Sequence, residues 1–305
     1  MAQNPVPKGN RIKDGSPAVT FLFYAAVTLA CFIAIYPMYY VIIKSISDPV
    51  LSLKHEVTFW PVGLYFGAYE PILSDASMWR SYGYTIFYTV TNTLLMLVTS
   101  VIGAYPLISP KLRGRKLLVI YLLIPMYFGG GLIPSFLNNV RLGLYDNVFA
   151  MIIPGAVGIF NIILVRTFFV STVPVELRES AEIDGAEVLT ILTRIYIPLS
   201  KPVLAVIAIY SIVGNWNSWF GANIYLPNPA KQPLQMYLRR LIVAQTVDIT
   251  KLVTKEQVED AMRQSLSAQQ MKYALIVFTT LPIILVYPMF QKYFVKGVML
   301  GSLKG

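Results

Sequence analysis

The chain has 305 residues, 56% of them hydrophobic and only 13% charged, with a formal net charge of +10. A soluble globular domain carries roughly 25% charged residues, so this composition excludes an ordinary soluble enzyme and points to a membrane protein. A single cysteine excludes an internal disulfide, and Cys31 reads as a small buried apolar residue.

Crossing a ~30 Å hydrocarbon core takes roughly 20 helical residues. Six apolar stretches meet that length, at about 18 to 43, 83 to 109, 117 to 136, 148 to 165, 202 to 224 and 273 to 294, with charged side chains kept to their ends. The expected fold is an all-α polytopic bundle of six transmembrane helices over 18–295. It is flanked by an N-terminal segment, 1–17, and a tail, 296–305. The basic start, Lys8, Arg11 and Lys13, also suits a secretory signal peptide. The apolar run behind it is too long for one, so it reads as an uncleaved first span.

Cytoplasmic loops carry the excess of Lys and Arg. Placing the N-terminus inside puts "PKLRGRK" (110–116) there, together with Arg166, Arg178, Arg194, Lys201, Lys292, Lys296 and Lys304. Both termini and the loop 166–201 are therefore expected on the cytoplasmic side. The positive charge is accounted for by topology and by anionic lipid, and nucleic acid is not implied.

In the third span "FGGGLIPSF" (128–136) is rich in glycine but lacks the Lys and Ser/Thr of a phosphate-binding loop. Its glycines, with Pro125 and Pro134, point to close helix packing or a break in the span. Proton-driven carriers need ionisable groups at membrane depth, and the span interiors offer none. One histidine, His55, and one cysteine cannot build a usual zinc site. No bound cofactor or metal is expected.

Between the fourth and fifth spans the chain turns acidic. "VELRESAEIDGAEV" (175–188) holds Glu176, Glu179, Glu182, Asp184 and Glu187, five of the fifteen carboxylates. Pro174, Asp184-Gly185 and Pro198 divide the segment into two short helices, about 174 to 183 and 187 to 196, with a corner at Gly185. Leu177, Ser180, Ala181 and Asp184 share a face of mostly small residues, and Arg178 stands four residues before Glu182. In the second helix Val188, Leu192 and Ile195 share one face, so that helix lies against something. The carboxylates are spread around the helix and do not face a shared cleft, which suits neither a metal nor acid-base chemistry. A solvated amphipathic loop and a docking surface for a basic partner both remain open at this point.

The fifth span carries Asn215, Trp216, Asn217, Trp219 and Asn223. Polar groups in a span face the bundle interior, and amides with aromatic faces hold sugars. These five residues are candidates for the wall of a translocation path, and Asn92 and Asn161 are weaker ones. Interfacial belting by Trp and helix-to-helix bonding by Asn are the alternatives. The polar segment 225–272 follows as an outer loop with a helix expected near 255 to 270.

The stretch "ESAEIDGAEVLTILTRIYIP" resembles the signature cytoplasmic loop of permease subunits of bacterial ABC importers, E-A-A-x(3)-G-x(9)-I-x-L-P. Glu179, Ala181, Gly185, Ile195 and Pro198 match in register, while Ser180 and Ile197 stand in register as conservative departures. "GAYPLISPKLRGRK", "GNWNSWFGANIYL" and "VYPMFQKYFVKGVMLGSLKG" are similar to the carbohydrate-uptake, maltose-importer-like branch, and within it to the subgroup for complex oligosaccharides. The resemblance implies a permease subunit without its own ATPase, importing an oligosaccharide, an acidic one such as alginate. It implies a second permease, two ATPase subunits that bind ATP and Mg, and an extracytoplasmic solute-binding protein as partners, in the bacterial inner membrane. Glu179, Ser180, Ala181, Asp184, Gly185 and Ala186 would dock the ATPase, with Glu179 pairing a basic residue and Gly185 making the corner. The outer loop would touch the binding protein, and the tail would reach between the ATPase subunits. A self-contained carrier or channel for small polar solutes is the alternative.

Overall fold

Within a bilayer every backbone N–H and C=O must find a partner inside the protein, and the apolar stretches accordingly fold as helices. The computed structural model describes residues 17–244 and 255–302, and all regular structure among them is helical. In chain order the α-helices are α1 (Pro17–Ser45), α2 (Pro49–Leu53), α3 (Tyr69–Ser74), α4 (Ala76–Ala104), α5 (Arg115–Tyr127), α6 (Leu132–Arg141), α7 (Ile153–Ala156) and α8 (Ile159–Thr172). They continue with α9 (Val175–Ile183), α10 (Val188–Ile191), α11 (Ile197–Leu199), α12 (Lys201–Trp216), α13 (Phe220–Tyr225), α14 (Leu234–Ala244) and α15 (Lys255–Ser302). The N-terminal segment through residue 16, part of the outer loop (245–254) and the last three residues of the tail lie outside the described residues.

Three stretches are long and apolar enough to cross a membrane unaided: α1, Ala76–Ile108, and Ala268–Gln291 within α15. The other expected spans are broken. α5 and α6 meet at 110°, the segment from Val148 through α7 meets α8 at 40°, and Val188–Leu199 meets α12 at 76°. The α5–α6 break falls in the glycine run, where Phe128 is extended and Gly131 has φ +86. A Cβ at Gly131 would meet nothing within 4 Å. The glycine thus serves the backbone turn, not close packing. The fifth span also ends early. α12 stops at Trp216, Asn217 caps it, and α13 begins only at Phe220, so residues 217 to 219 form a corner between two helices.

α4 is the centre of the bundle and packs against α12, α8 and α14, while α15 packs along α1 and α12. At one end Val101, Ala104, Leu107, Phe169, Ile191 and Tyr196 belong to a single buried cluster. This end also gathers the loops 105–116 and 174–200, joined by Lys111 and Glu182 at 3.1 Å. The loops after α1, α6 and α12 gather at the opposite end. There Lys231 pairs with Asp146 at 2.9 Å, and Gln270 donates to the carbonyl of Ser47.

The same end holds α14 against α4. Thr85 Oγ1 accepts from the Leu234 N–H at 2.8 Å, and the Tyr237 hydroxyl donates to Asp75 Oδ2 at 2.7 Å. Burial works to raise the Asp75 carboxyl. Hydrogen bonds from Tyr237, from both the hydroxyl and N–H of Ser77, and from the Met78 N–H outweigh it and hold Asp75 below the usual carboxylate range. Burial, then this bond, pushes the Tyr237 phenol up.

α1 departs from a buried span. Its residues from Pro17 to Ile35 are exposed on this chain, and Cys31 is exposed with them, contrary to the sequence expectation. Only the last turns of α1 enter the bundle. Lys44 is buried, donates to the Ser52 carbonyl at 3.1 Å, and lies over the rings of Tyr40 and Tyr273. The helix expected near 255 to 270 is the first part of α15, continuous with the last span.

Candidate functional site

The acidic loop folds as its punctuation requires. α9 ends in a Schellman closure: the Ala186 N–H reaches the Ala181 carbonyl at 2.9 Å, and the Gly185 N–H reaches the Glu182 carbonyl at 3.2 Å. Gly185 stands at φ +76, a conformation that disfavours any residue with a Cβ. Ala181 and Ala186, bonded across the closure, both pack on the buried cluster of α4 and α8. Glu179, Ser180, Asp184 and Gly185 are left exposed on the outside of the corner. Among the described residues Glu179 has no ion-pair or hydrogen-bond partner.

Glu182, by contrast, is paired within the chain. It meets Lys111 of the 105–116 loop at 3.1 Å and Arg178 at 3.5 Å. With Tyr105 and Val188 these three residues line a cavity of about 380 Å³ between α9 and the loop. The expected second helix continues from α10 through a π-helical turn, Leu192–Tyr196, into α11. Pro198 has no N–H to give the helix ladder, and π turns of this kind recur at functional sites. Tyr196 is buried, edge-on to Tyr105 at 5.2 Å and to Phe169 at 5.0 Å. The corner is therefore tied by one aromatic side chain to the end of α4 and to α8.

The amides expected along the fifth span have different fates. Asn215 Nδ2 donates to Asn92 Oδ1 at 2.9 Å and to the Ser211 carbonyl at 2.8 Å, and Asn92 Nδ2 donates to the Ile152 carbonyl at 2.8 Å. Thr93 and Ser211 share a hydroxyl bond at 2.9 Å. Asn161 Nδ2 faces Met96 Sδ at 3.0 Å. Asn92, Asn161, Asn215, Tyr210, Gly214 and Ser218 border one open pocket of about 280 Å³, with Met96 and Ile207 adding apolar wall. The broken fourth span forms its far wall, where a Cβ at Gly155 would lie 2.8 Å from Asn92 Nδ2. Irregular backbone at membrane depth is tolerated where it lines a cavity of this kind.

Trp216 is not on this wall. It is buried against Tyr82 and donates from Nε1 to the Thr279 carbonyl at 2.9 Å, so its indole joins α12 to α15. Asn217 Oδ1 accepts from Gln235 at 3.4 Å, Trp219 lies under Arg239, and Asn223 is exposed on α13. Tyr210, Gly214 and Asn217, at helical spacing, form an exposed stripe of α12 leading from the pocket to Trp219. Sequence reasoning missed Tyr210, Gly214, Ser218 and the α14 residues. The first three were legible as the same face as Asn217, whereas the α14 contacts carried no sequence signal.

Residues 61–300 match the family of binding-protein-dependent transport system inner membrane components. The chain is 38% identical over 274 residues to protein LplC of Bacillus subtilis (strain 168), covering 90% of each. It is 34% identical to the polygalacturonan/rhamnogalacturonan transport system permease protein YtcP of the same organism, covering 93% of this chain and 97% of the relative. It also matches a chain in the crystal structure of a bacterial ABC transporter involved in the import of the acidic polysaccharide alginate. That match has a TM-score of 0.80 and 38% identity, and covers 92% of this chain and 98% of the other.

Proposed function

Since this chain belongs to the family of binding-protein-dependent transport system inner membrane components, we propose the following division of labour for its parts. The chain is the permease subunit of an ABC sugar importer in the inner membrane, and it is not the ATPase. It spans the membrane six times with both termini in the cytoplasm, each bent helix pair counting as one span. It pairs with a second permease and two ATPase subunits, which bind ATP and Mg. An extracytoplasmic binding protein delivers the substrate to the opposite face.

The substrate is an acidic oligosaccharide, a reading supported by the alginate importer and the polygalacturonan permease among the relatives. The α9–α10 corner docks the ATPase through Glu179, Ser180, Asp184 and Gly185, while Ala181 and Ala186 seat it on the bundle. The observation that carries this reading is the corner itself: an unpartnered Glu179 beside a glycine closure, tied through Tyr196 to the membrane helices. A basic cleft on the ATPase gains a charge-assisted bond to Glu179. Closure of the ATPases then moves the corner as a rigid piece, and Tyr196 passes the displacement to α4 and α8.

The path runs along Asn215, the stripe Tyr210, Gly214 and Asn217, and out past Trp219 and Asn223. Polar groups on an exposed stripe of a membrane helix are costly against lipid. That favours a water-filled path shared with the second permease.

The test is ATP-driven uptake by the assembled transporter in proteoliposomes. Glu179→Lys and Gly185→Asp are expected to leave ATP hydrolysis uncoupled from transport without loss of membrane insertion. Full transport by both variants removes the docking role, and uptake by this chain alone, without ATP, removes the importer reading.

A further inference from the structure

The α12 stripe ends at a contact that the permease role does not require. Arg239 of α14 lies over the Trp219 ring, its Cζ 4.3 Å from the ring centroid. One helical turn earlier, Gln235 Nε2 bonds Asn217 Oδ1 at 3.4 Å, so α14 presents Gln235 and Arg239 together along the same edge of the corner. The residue before Trp219 is Ser218, which lines the pocket shared with Asn92 and Asn215.

Arg239 is exposed, and 41% of Trp219 and 51% of the adjoining Phe220 remain accessible. Among the described residues the basic members of ion pairs are Lys111, Arg178 and Lys231, so no carboxylate engages Arg239 there. An aromatic face orients a guanidinium without consuming its N–H donors. The open fork then matches a carboxylate in two-point geometry. The bond between Asn217 and Gln235 leaves an amide N–H₂ on one side and an amide carbonyl on the other. Such a mixed pair suits hydroxyl groups.

We infer that Arg239, held over Trp219 next in the chain to the pocket residue Ser218, receives the carboxylate of a uronate unit as the oligosaccharide passes from the binding protein into the path. Asn217 and Gln235 take its ring hydroxyls, and the exposed edges of Trp219 and Phe220 meet its apolar face. This inference rests on the acidic-oligosaccharide reading above. It adds the group that reads the acid.

The experiment uses the complete transporter, with its partner permease, ATPases and binding protein, in proteoliposomes, and a labelled alginate-derived oligouronate as probe. Arg239→Gln is expected to lower uptake at limiting substrate about fivefold, the scale of one exposed charge-assisted contact. The affinity of the transporter for the loaded binding protein should not change. Arg239→Lys, which keeps charge but not the fork, is expected to fall between, and Trp219→Leu to approach the Gln variant. Unchanged uptake by Arg239→Gln overturns the inference. So does a loss of uptake matched by an equal loss of binding-protein affinity, which assigns Arg239 to a carboxylate of that protein. An unmutated transporter that imports neutral oligosaccharides but no oligouronate overturns the substrate reading and this inference together. Uptake of oligouronate that Arg239→Gln leaves intact overturns the inference alone.

Discussion

Asn215 donates to Asn92 at 2.9 Å, and Asn92 hands the bond on to the carbonyl of Ile152 at 2.8 Å. Two side chains from α12 and α4 thereby hold the backbone at the start of α7, in the first half of the broken fourth span. Asn92→Leu removes both of these hydrogen bonds, at an expected cost of about 1–3 kcal/mol. Thermal unfolding of the detergent-solubilised complex measures it. Asn215→Leu on top of Asn92→Leu is expected to add less than it does alone, because the two belong to one network. Gly155→Ala drives a methyl group toward the Asn92 amide and is expected to destabilise to a similar degree.

Gly185 makes a graded prediction. At φ +76 a β-branched residue is strained by roughly 1–2 kcal/mol, whereas asparagine tolerates the left-handed region. Gly185→Val is therefore expected to reduce co-purification of the ATPase more than Gly185→Asn. Equal retention by both variants would show that the closure does not matter for docking.

Tyr196 is predicted to be needed for coupling through its ring and not its hydroxyl. Tyr196→Ala removes a buried aromatic wedged against Tyr105 and Phe169, at an expected cost of about 3–5 kcal/mol. Sugar transported per ATP hydrolysed is expected to fall. Tyr196→Phe keeps both edge contacts and is expected to leave that ratio near the unmutated value.

Asp75 supplies a pH dependence. Its carboxyl titrates below the usual value in the folded chain. Its contribution to stability is therefore present above the unfolded value of roughly 4 and is lost as pH falls through the folded value. Tyr237→Phe removes a donor to the carboxylate, so the variant is expected to lose less stability than the unmutated chain on acidification from pH 5 to pH 3. Melting temperatures of both across that range test the sign.

The Gly185 corner was legible because it is local: a glycine, two prolines and short amphipathic repeats determine it within some twenty residues. The breaks in the spans were less so. Hydropathy adds up composition along the chain and is blind to the direction of the helix axis. Gly129 to Gly131, with Pro125 and Pro134, raise a break in the third span as one of two readings, without its 110° angle. Trp216 and Asn215 are neighbours of similar polar promise, and only partners far away in sequence divide them. Thr279 takes the indole into the core, while Asn92 leaves the amide on a pocket. Arg239 carries no signal in the sequence, because its partner Trp219 reaches it only through the packing of the fold.

The exposed stretch of α1 bears on timing during synthesis. Its main helical neighbour is α15, and the side chains that close over Lys44 include Tyr273, more than two hundred residues later in the chain. At ~5–20 residues per second, roughly 10 to 45 s separate the two on the ribosome. In the six-span reading α1 waits through that interval with its seat unmade, and a chain cut short before α15 would leave α1 without its main packing partner.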